Sequence, residues 1–174
     1  SLFAIWQFIA VIGYTKADSP TFIIDEEGNV LFDSYFKPIR HKEWSKAESV
    51  NHISPKMVAD APYINEKAAE LYAILSQAHW IIGYNVDFDL NFLVGSDIIT
   101  SEECNAFRTE DVMIQFAEIY GEYSVYHEDY KWQKLTTAAA YYDYDWAEHE
   151  EAHNSLGALQ RFLCIIKYLA KNSR

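Results

Sequence analysis

The hydrophobic pattern of the first third of the chain predicts three β-strands. Residues 3–12 form an apolar run (FAIWQFIAVI) whose length suits a buried strand. Residues 21–25 (TFIID) and 30–38 (VLFDSYFKP) are β-rich runs separated by a turn that contains Gly28 and Asn29. This spacing predicts a β-hairpin whose second strand is closed by Pro38.

The pattern then changes to alternating helices and strands. The pair Ser54-Pro55 is typical of a helix start, since a hydroxyl cap precedes a proline in the first turn. Residues 65–77 carry apolar side chains at helical spacing, and residues 79–84 (HWIIGY) predict a central strand. We expect a short helix to follow that strand and to run through Leu93.

Three more helices are predicted in the second half. Asp111 is a candidate cap for residues 112–122, and residues 134–142 form the next helix. The last helix has one apolar stripe with steps of three and four, formed by Leu156, Leu159, Leu163, Ile166 and Ala170. Strands followed by alternating strands and helices predict an α/β fold, with a mixed sheet of about five strands flanked by helices.

Length and composition predict one globular domain over residues 1–174. Half of the residues are hydrophobic and 16% are aromatic, so the chain has enough apolar surface for a core. Cys104 and Cys164 are far apart, which predicts no disulfide framework and favours a reducing cytoplasm. No apolar run reaches the ~20 residues of a membrane helix, and we expect neither membrane association nor a signal peptide.

The net charge of −12 argues against some partners more than others. Tight, sequence-independent binding of a phosphate backbone requires lysine and arginine, which are in the minority here. A metal-dependent nuclease is less affected, because divalent ions or a local basic groove can supply positive charge.

The segment GYNVDFDLNFL at residues 83–93 contains the strongest candidate chemistry. It places carboxylates after a predicted central strand, at a sheet edge where a metal or ligand can reach them. Taken alone, Asn85 and Asp89 also fit the ordinary roles of turn and cap residues.

Together with its neighbours, this segment resembles the DEDDh 3′–5′ exonucleases, a family that includes ribonuclease T, oligoribonuclease and the proofreading subunit of bacterial replicative polymerase. The resemblance covers roughly residues 20–171. Six blocks occur in the family's order: SYFKP, WSKAESVNHISPKMVADAP, IIGYNVDFDLNFL, DVMIQFAEIYGE, KWQKLTTAAAYYDYDW and AHNSLG. The resemblance implies a ribonuclease H-like fold and hydrolysis by two ions, Mg²⁺ or Mn²⁺, which four carboxylates hold ~3.5–4 Å apart.

The family's second and third motifs identify the candidate site residues. The second motif matches Asn85, Phe88 and Asp89, which implies that Asp89 is a catalytic metal ligand. By the same resemblance, Asn85 and Phe88 contact nucleic acid. The third motif matches His153, the implied general base, but the aspartate expected five residues later is Ala158.

The family's first motif, which supplies two acidic ligands, has no counterpart. An ungapped alignment places Ile5, Trp6 and Gln7 at its positions, and another alignment makes residues 3–12 the second strand, with the first strand absent. Neither alignment provides an acidic residue before Asp18, so three of the four carboxylates are missing. We expect the nearby acids to face solvent; these are Asp87, Glu148, Glu150 and Glu151.

Two classes of function follow. The first is a 3′–5′ exonuclease domain for single-stranded DNA or RNA ends that depends on Mg²⁺ or Mn²⁺. It is active if other residues rebuild the metal sites, and impaired if the missing ligands are not replaced. The second is a domain without a cofactor that binds nucleic-acid ends, or that binds an unidentified protein through its acidic surface. Some aromatic residues could line a base-stacking groove, although we expect two of them, Phe88 and Trp132, in the core; the others are Tyr84, Tyr126 and Tyr130.

The main alternative fold is another doubly wound α/β domain. Neither a G-x-G-x-x-G nor a G-x-S-x-G motif is present to support cofactor binding or nucleophilic hydrolysis there.

Overall fold

A five-stranded mixed sheet forms the centre of the described part of the protein. The computed structural model describes residues 8–13, 21–38, 48 and 54–142. The strands have the order β3-β2-β1-β4-β5. They are β1 Phe8–Gly13, β2 Thr21–Asp25, β3 Val30–Ser34, β4 Trp80–Gly83 and β5 Thr109–Asp111. β1 is antiparallel to β2 and parallel to β4, and β5 is parallel to β4, which confirms a mixed sheet.

The predicted hairpin is confirmed, although its second strand ends at Ser34 and not at Pro38, and local hydrogen bonds explain its turn. β2 pairs antiparallel with β3, and Gly28 has a φ of 91°, which a residue without a Cβ adopts at little cost. The Asp25 carboxylate accepts hydrogen bonds from the backbone N–H groups of Glu27 and Asn29, at 3.0 and 2.8 Å. The Asn29 side chain donates to the same carboxylate at 2.8 Å.

Five α-helices and a small second sheet complete the described elements. The helices are α1 Ala68–Gln77, α2 Val86–Gly95, α3 Ser101–Ala106, α4 Val112–Tyr120 and α5 Leu135–Tyr141. A 3₁₀ turn, Ile64–Lys67, leads into α1, and β6 (Tyr123–Ser124) pairs antiparallel with β7 (Asp129–Tyr130). The helices predicted at 65–77, through Leu93, after Asp111 and at 134–142 are thereby confirmed. The predicted last helix lies outside the described residues.

The helix start predicted at Ser54-Pro55 is wrong. Residues 55–60 form consecutive turns, in which each hydrogen bond spans three residues; Met57 N–H, for example, donates to the Ser54 carbonyl at 3.0 Å. Pro62 follows closely, lacks an N–H and disfavours the helical conformation of the residue before it. An α-helix therefore does not propagate from the cap.

The core lies between the sheet and helices α1 and α2. It contains Leu71 and Leu75 of α1, Leu90 and Leu93 of α2, and Ile81 of β4, all at most 2% exposed. This packing fixes α2 against the sheet and thereby positions the residues at its start. Within the described ranges, no helix is both long and apolar enough to cross a lipid bilayer.

Candidate active site at the carboxyl edge of the sheet

The junction between β4 and α2 is tight and depends on Gly83. A Cβ at this position would lie 2.8 Å from Cβ and 3.0 Å from Cα of Val86, closer than real Cβ contacts. Asn85 directly precedes α2 and has left-handed backbone angles, with φ 71° and ψ 49°. Asparagine tolerates that conformation better than most residues do, so the turn interpretation of Asn85 is confirmed.

Asp89 lies on the buried face of α2. Its side chain is 5% exposed, and it falls within the inward stripe formed by Val86, Leu90 and Leu93. α2 packs against β1, β4 and β5, so this stripe faces the sheet close to the carboxyl ends of its parallel strands. Ligands of α/β sheets bind outside the carboxyl ends of the strands, and Asp89 is therefore the leading functional candidate among the described residues.

The expectation that Phe88 and Trp132 belong to the core is wrong. Phe88 is 46% exposed and Trp132 is 63% exposed. The buried stripe of α2 does not include Phe88, so its ring points outward in the turn that carries Asp89. Trp132 follows the two-stranded β6–β7 sheet, in which Ser124 is the buried residue and the aromatic rings face solvent.

Asp111 caps α4 as predicted, and it also holds the β4–α2 junction. One carboxylate oxygen accepts hydrogen bonds from the N–H groups of Asn85 and Met113, both at 2.9 Å. The other oxygen accepts from Val86 N–H at 3.1 Å. One side chain therefore joins the starts of α2 and α4, a role that the sequence indicated only for α4.

Tyr84 joins the same junction to the segment that follows β7. Its hydroxyl donates to the main-chain carbonyl of Gln133 at 2.8 Å. Burial raises the pKa of the Tyr84 phenol well above its usual range, and the negative charge of Asp111 adds to the shift. The phenol is therefore a persistent hydrogen-bond donor, a role that no pattern in the sequence indicated.

The described residues do not assemble a two-ion site. They include no group of three or more histidine, cysteine, aspartate or glutamate residues placed to hold a metal. β1 ends at Val11, Ile12 and Gly13, none of which has a carboxylate. Asp111 does have one, but both of its oxygens accept backbone hydrogen bonds. Asp87 is exposed, as expected. The remaining candidates lie outside the described residues; these are residues 5–7, Glu148, Glu150, Glu151, His153 and Ala158.

Comparison with known proteins identifies the family. The profile of the RNase T exonuclease family matches residues 5–157, most of the chain. The chain belongs to the DEDDh-type 3′–5′ exonuclease family. The family assignment from the six sequence blocks and the ribonuclease H-like α/β fold are thus confirmed.

Solved structures of Escherichia coli Exonuclease I share the fold of this exonuclease domain. The complex with a dA16 oligonucleotide has a TM-score of 0.64 and 13% sequence identity, over 97% of this chain and 41% of that chain. The zinc-bound form of the complex with single-stranded DNA has the same TM-score and coverage, with 15% identity. The chain thus spans less than half the length of Exonuclease I.

A short segment is shared with a different class of protein. Twenty residues are 95% identical to D-alanine–D-alanyl carrier protein ligases of Streptococcus pneumoniae strains, among them ATCC 700669 and TIGR4. The match covers 12% of this chain and 4% of the ligase. A segment of that length cannot form a domain core by itself, so it implies no ligase fold or activity here.

A separate cleft lies at the opposite edge of the sheet. It has a volume of 460 Å³, and its lining includes His79 and Arg108, which directly precede β4 and β5. Because β4 and β5 are parallel, this cleft is at their amino ends, away from Asp89. It is therefore not part of the candidate active site.

Proposed function

We propose that this exonuclease-family domain binds 3′ ends of single-stranded nucleic acid at the carboxyl edge of the sheet, and that its hydrolysis is strongly impaired. The observation that carries the proposal is the position of Asp89. Asp89, to which the sequence resemblance assigns metal binding, is buried in the first turn of α2, while the end of β1 has no acidic residue. Among the residues that the structure describes, Asp89 is the only buried carboxylate, and one carboxylate does not neutralise two divalent ions, so binding is better supported than turnover.

Single-stranded nucleic acid is the ligand class that the site and the family favour. Phe88 is 46% exposed in the same helical turn as Asp89, and solvent-exposed aromatic rings are the groups on which single-stranded bases stack. The Exonuclease I structures that share the fold are complexes with dA16 and with single-stranded DNA. If Mg²⁺ or Mn²⁺ binds, Asp89 is the proposed ligand and His153 the proposed base.

A binding assay tests the first half of the proposal. Fluorescence anisotropy with 5′-labelled single-stranded DNA and RNA, in EDTA, should show binding that linear competitors reduce and circular single strands reduce less. Asn85→Gly keeps the left-handed backbone available, so weaker binding in this variant reports on the side chain and not on the turn. Absence of binding to every oligonucleotide would exclude nucleic acid as the ligand of this edge.

A nuclease assay tests the second half. Products from 5′-labelled oligonucleotides are resolved in Mn²⁺ and in EDTA, for the wild-type chain and for Asp89→Ala. We expect no Mn²⁺-dependent 3′ shortening above the level of the variant. A ladder that requires Mn²⁺ and disappears in Asp89→Ala would show that other residues complete the metal site, and the proposed impairment would be wrong.

A further inference from the structure

The β6–β7 hairpin exposes an unusual amount of aromatic surface. Tyr126 is 90% exposed, Trp132 is 63% exposed and Tyr123 is 54% exposed. Tyr123 and Tyr130 are direct cross-strand partners, and their rings meet edge to face with centroids 5.6 Å apart. Large aromatic rings clustered in water commonly mark a binding surface.

Hydrogen bonds of Gln133 connect this hairpin to the candidate active site. The Gln133 main-chain carbonyl accepts the Tyr84 hydroxyl at 2.8 Å, and Tyr84 lies between β4 and the helix that carries Asp89. The Gln133 side chain donates to Glu122 at 3.0 Å, at the base of the hairpin. Lys131 closes the base by donating from Nζ to the same carboxylate at 2.7 Å.

These contacts place the backbone of Trp132 next to a residue that hydrogen-bonds to Tyr84. Trp132 directly precedes Gln133, so the two Cα atoms are about 3.8 Å apart. Trp132 lies between Lys131 and Gln133, whose side chains both hydrogen-bond to Glu122, while the Trp132 ring is mostly exposed to solvent. A ring on a fixed backbone loses little conformational freedom when a flat ligand group stacks on it.

We infer that Tyr84 is a positioning residue that holds Trp132 at the sheet's carboxyl edge, where the indole stacks on a base of bound single-stranded nucleic acid. The inference rests on the proposed function and names a part of the surface that binds the strand. Continuity with the site at Asp89 favours this ligand over a protein. The hairpin base has Glu122 paired with Lys131, so stacking, and not phosphate attraction, carries the contact.

The test uses a double-mutant cycle read out by oligonucleotide affinity in EDTA, which separates binding from hydrolysis. Trp132→Ala should weaken binding roughly 5- to 100-fold, the range for loss of one stacked base, and Trp132→Phe should restore most of it. Tyr84→Phe should weaken binding about 2- to 5-fold in the wild-type background. In the Trp132→Ala background it should have no further effect, because the two residues act through one contact.

Two controls separate positioning from general damage. Tyr72→Phe removes a phenol that hydrogen-bonds to Glu103 near the opposite cleft, and it should leave affinity unchanged. An oligonucleotide with abasic sites near its 3′ end should bind the wild-type chain and Trp132→Ala equally. Each variant is compared only where its circular dichroism and urea midpoint show a folded protein.

The outcomes distinguish this inference from the function on which it rests. If no oligonucleotide binds the wild-type chain, both are wrong. If the wild-type chain binds but Trp132→Ala and Tyr84→Phe bind equally well, only the positioning inference is wrong. The positioning inference is also wrong if Trp132→Ala leaves affinity unchanged but abolishes self-association in sedimentation, since the surface is then a protein interface.

Discussion

Replacement of Asp111 should destabilise the domain more than the loss of a single helix N-cap normally does. Its carboxylate accepts three backbone hydrogen bonds, from Asn85, Val86 and Met113, at 2.9 to 3.1 Å. A hydrogen bond to a charged group contributes about 1.5–3 kcal/mol, and an N-cap alone about 1 kcal/mol. Asp111 is only half-buried, so water satisfies part of what is lost. We therefore expect Asp111→Ala to lower the free energy of unfolding by about 3 kcal/mol.

Urea denaturation followed by circular dichroism measures this loss. With a slope of about 2 kcal/mol per molar urea, the midpoint should fall by about 1.5 M for Asp111→Ala. Asp111→Asn keeps one acceptor oxygen and should cost about half as much. The exposed Asp60 provides the matched control, and Asp60→Ala should change stability by less than about 0.5 kcal/mol. A loss below about 1 kcal/mol for Asp111→Ala, or equal losses for both Asp111 variants, would refute this account of the junction.

Two further predictions concern local geometry and pH dependence. Gly83→Ala should lower the free energy of unfolding by about 1–3 kcal/mol, because the new Cβ would clash with Val86. Gly95→Ala is the control in the same urea assay. Its new Cβ meets nothing within 4 Å, so this variant should be neutral or more stable. Slight burial alone would raise the pKa of Asp25, but hydrogen bonds from the Asn29 side chain and neighbouring backbone N–H groups outweigh it and lower this pKa below 3.8. The ionised Asp25 carboxylate therefore stabilises the folded state above pH 3.8, and this stabilisation is lost as the carboxylate is protonated in more acidic solution. The difference in unfolding free energy between wild type and Asp25→Asn should shrink as the pH falls below 3.8. A difference that is constant with pH would contradict this assignment.

The elements that could be predicted from local sequence are those whose first or last residues form hydrogen bonds with their own neighbours in the chain. The β2–β3 turn was predictable because Asp25, Gly28 and Asn29 close it within five residues. The start of α4 was predictable from Asp111 for the same reason. The inward position of Asp89 also follows from its spacing of three residues from Val86 and four from Leu93, which places all three on one helix face.

Other features depend on contacts distant in sequence. β5 has the sequence TED, which has no strand-like pattern, and it forms a strand because β4 is its parallel neighbour. β6 and β7 have two residues each, too few to show alternation. Aromatic composition favoured burial of Phe88 and Trp132, but their positions on a helix face and beside a hairpin expose both.

The hydrogen bonds at the β4–α2 junction have a consequence for how such sequences diverge. Tyr84 and Asp111 both bond to main-chain atoms, so the identities of their partner residues do not affect these contacts. Substitutions at position 133 preserve the carbonyl, and at positions 86 and 113 only proline would remove the N–H. Correlated substitutions between partner positions are therefore not expected among related chains. Covariation methods would miss these contacts, although restriction of positions 84 and 111 to tyrosine and aspartate would reveal them.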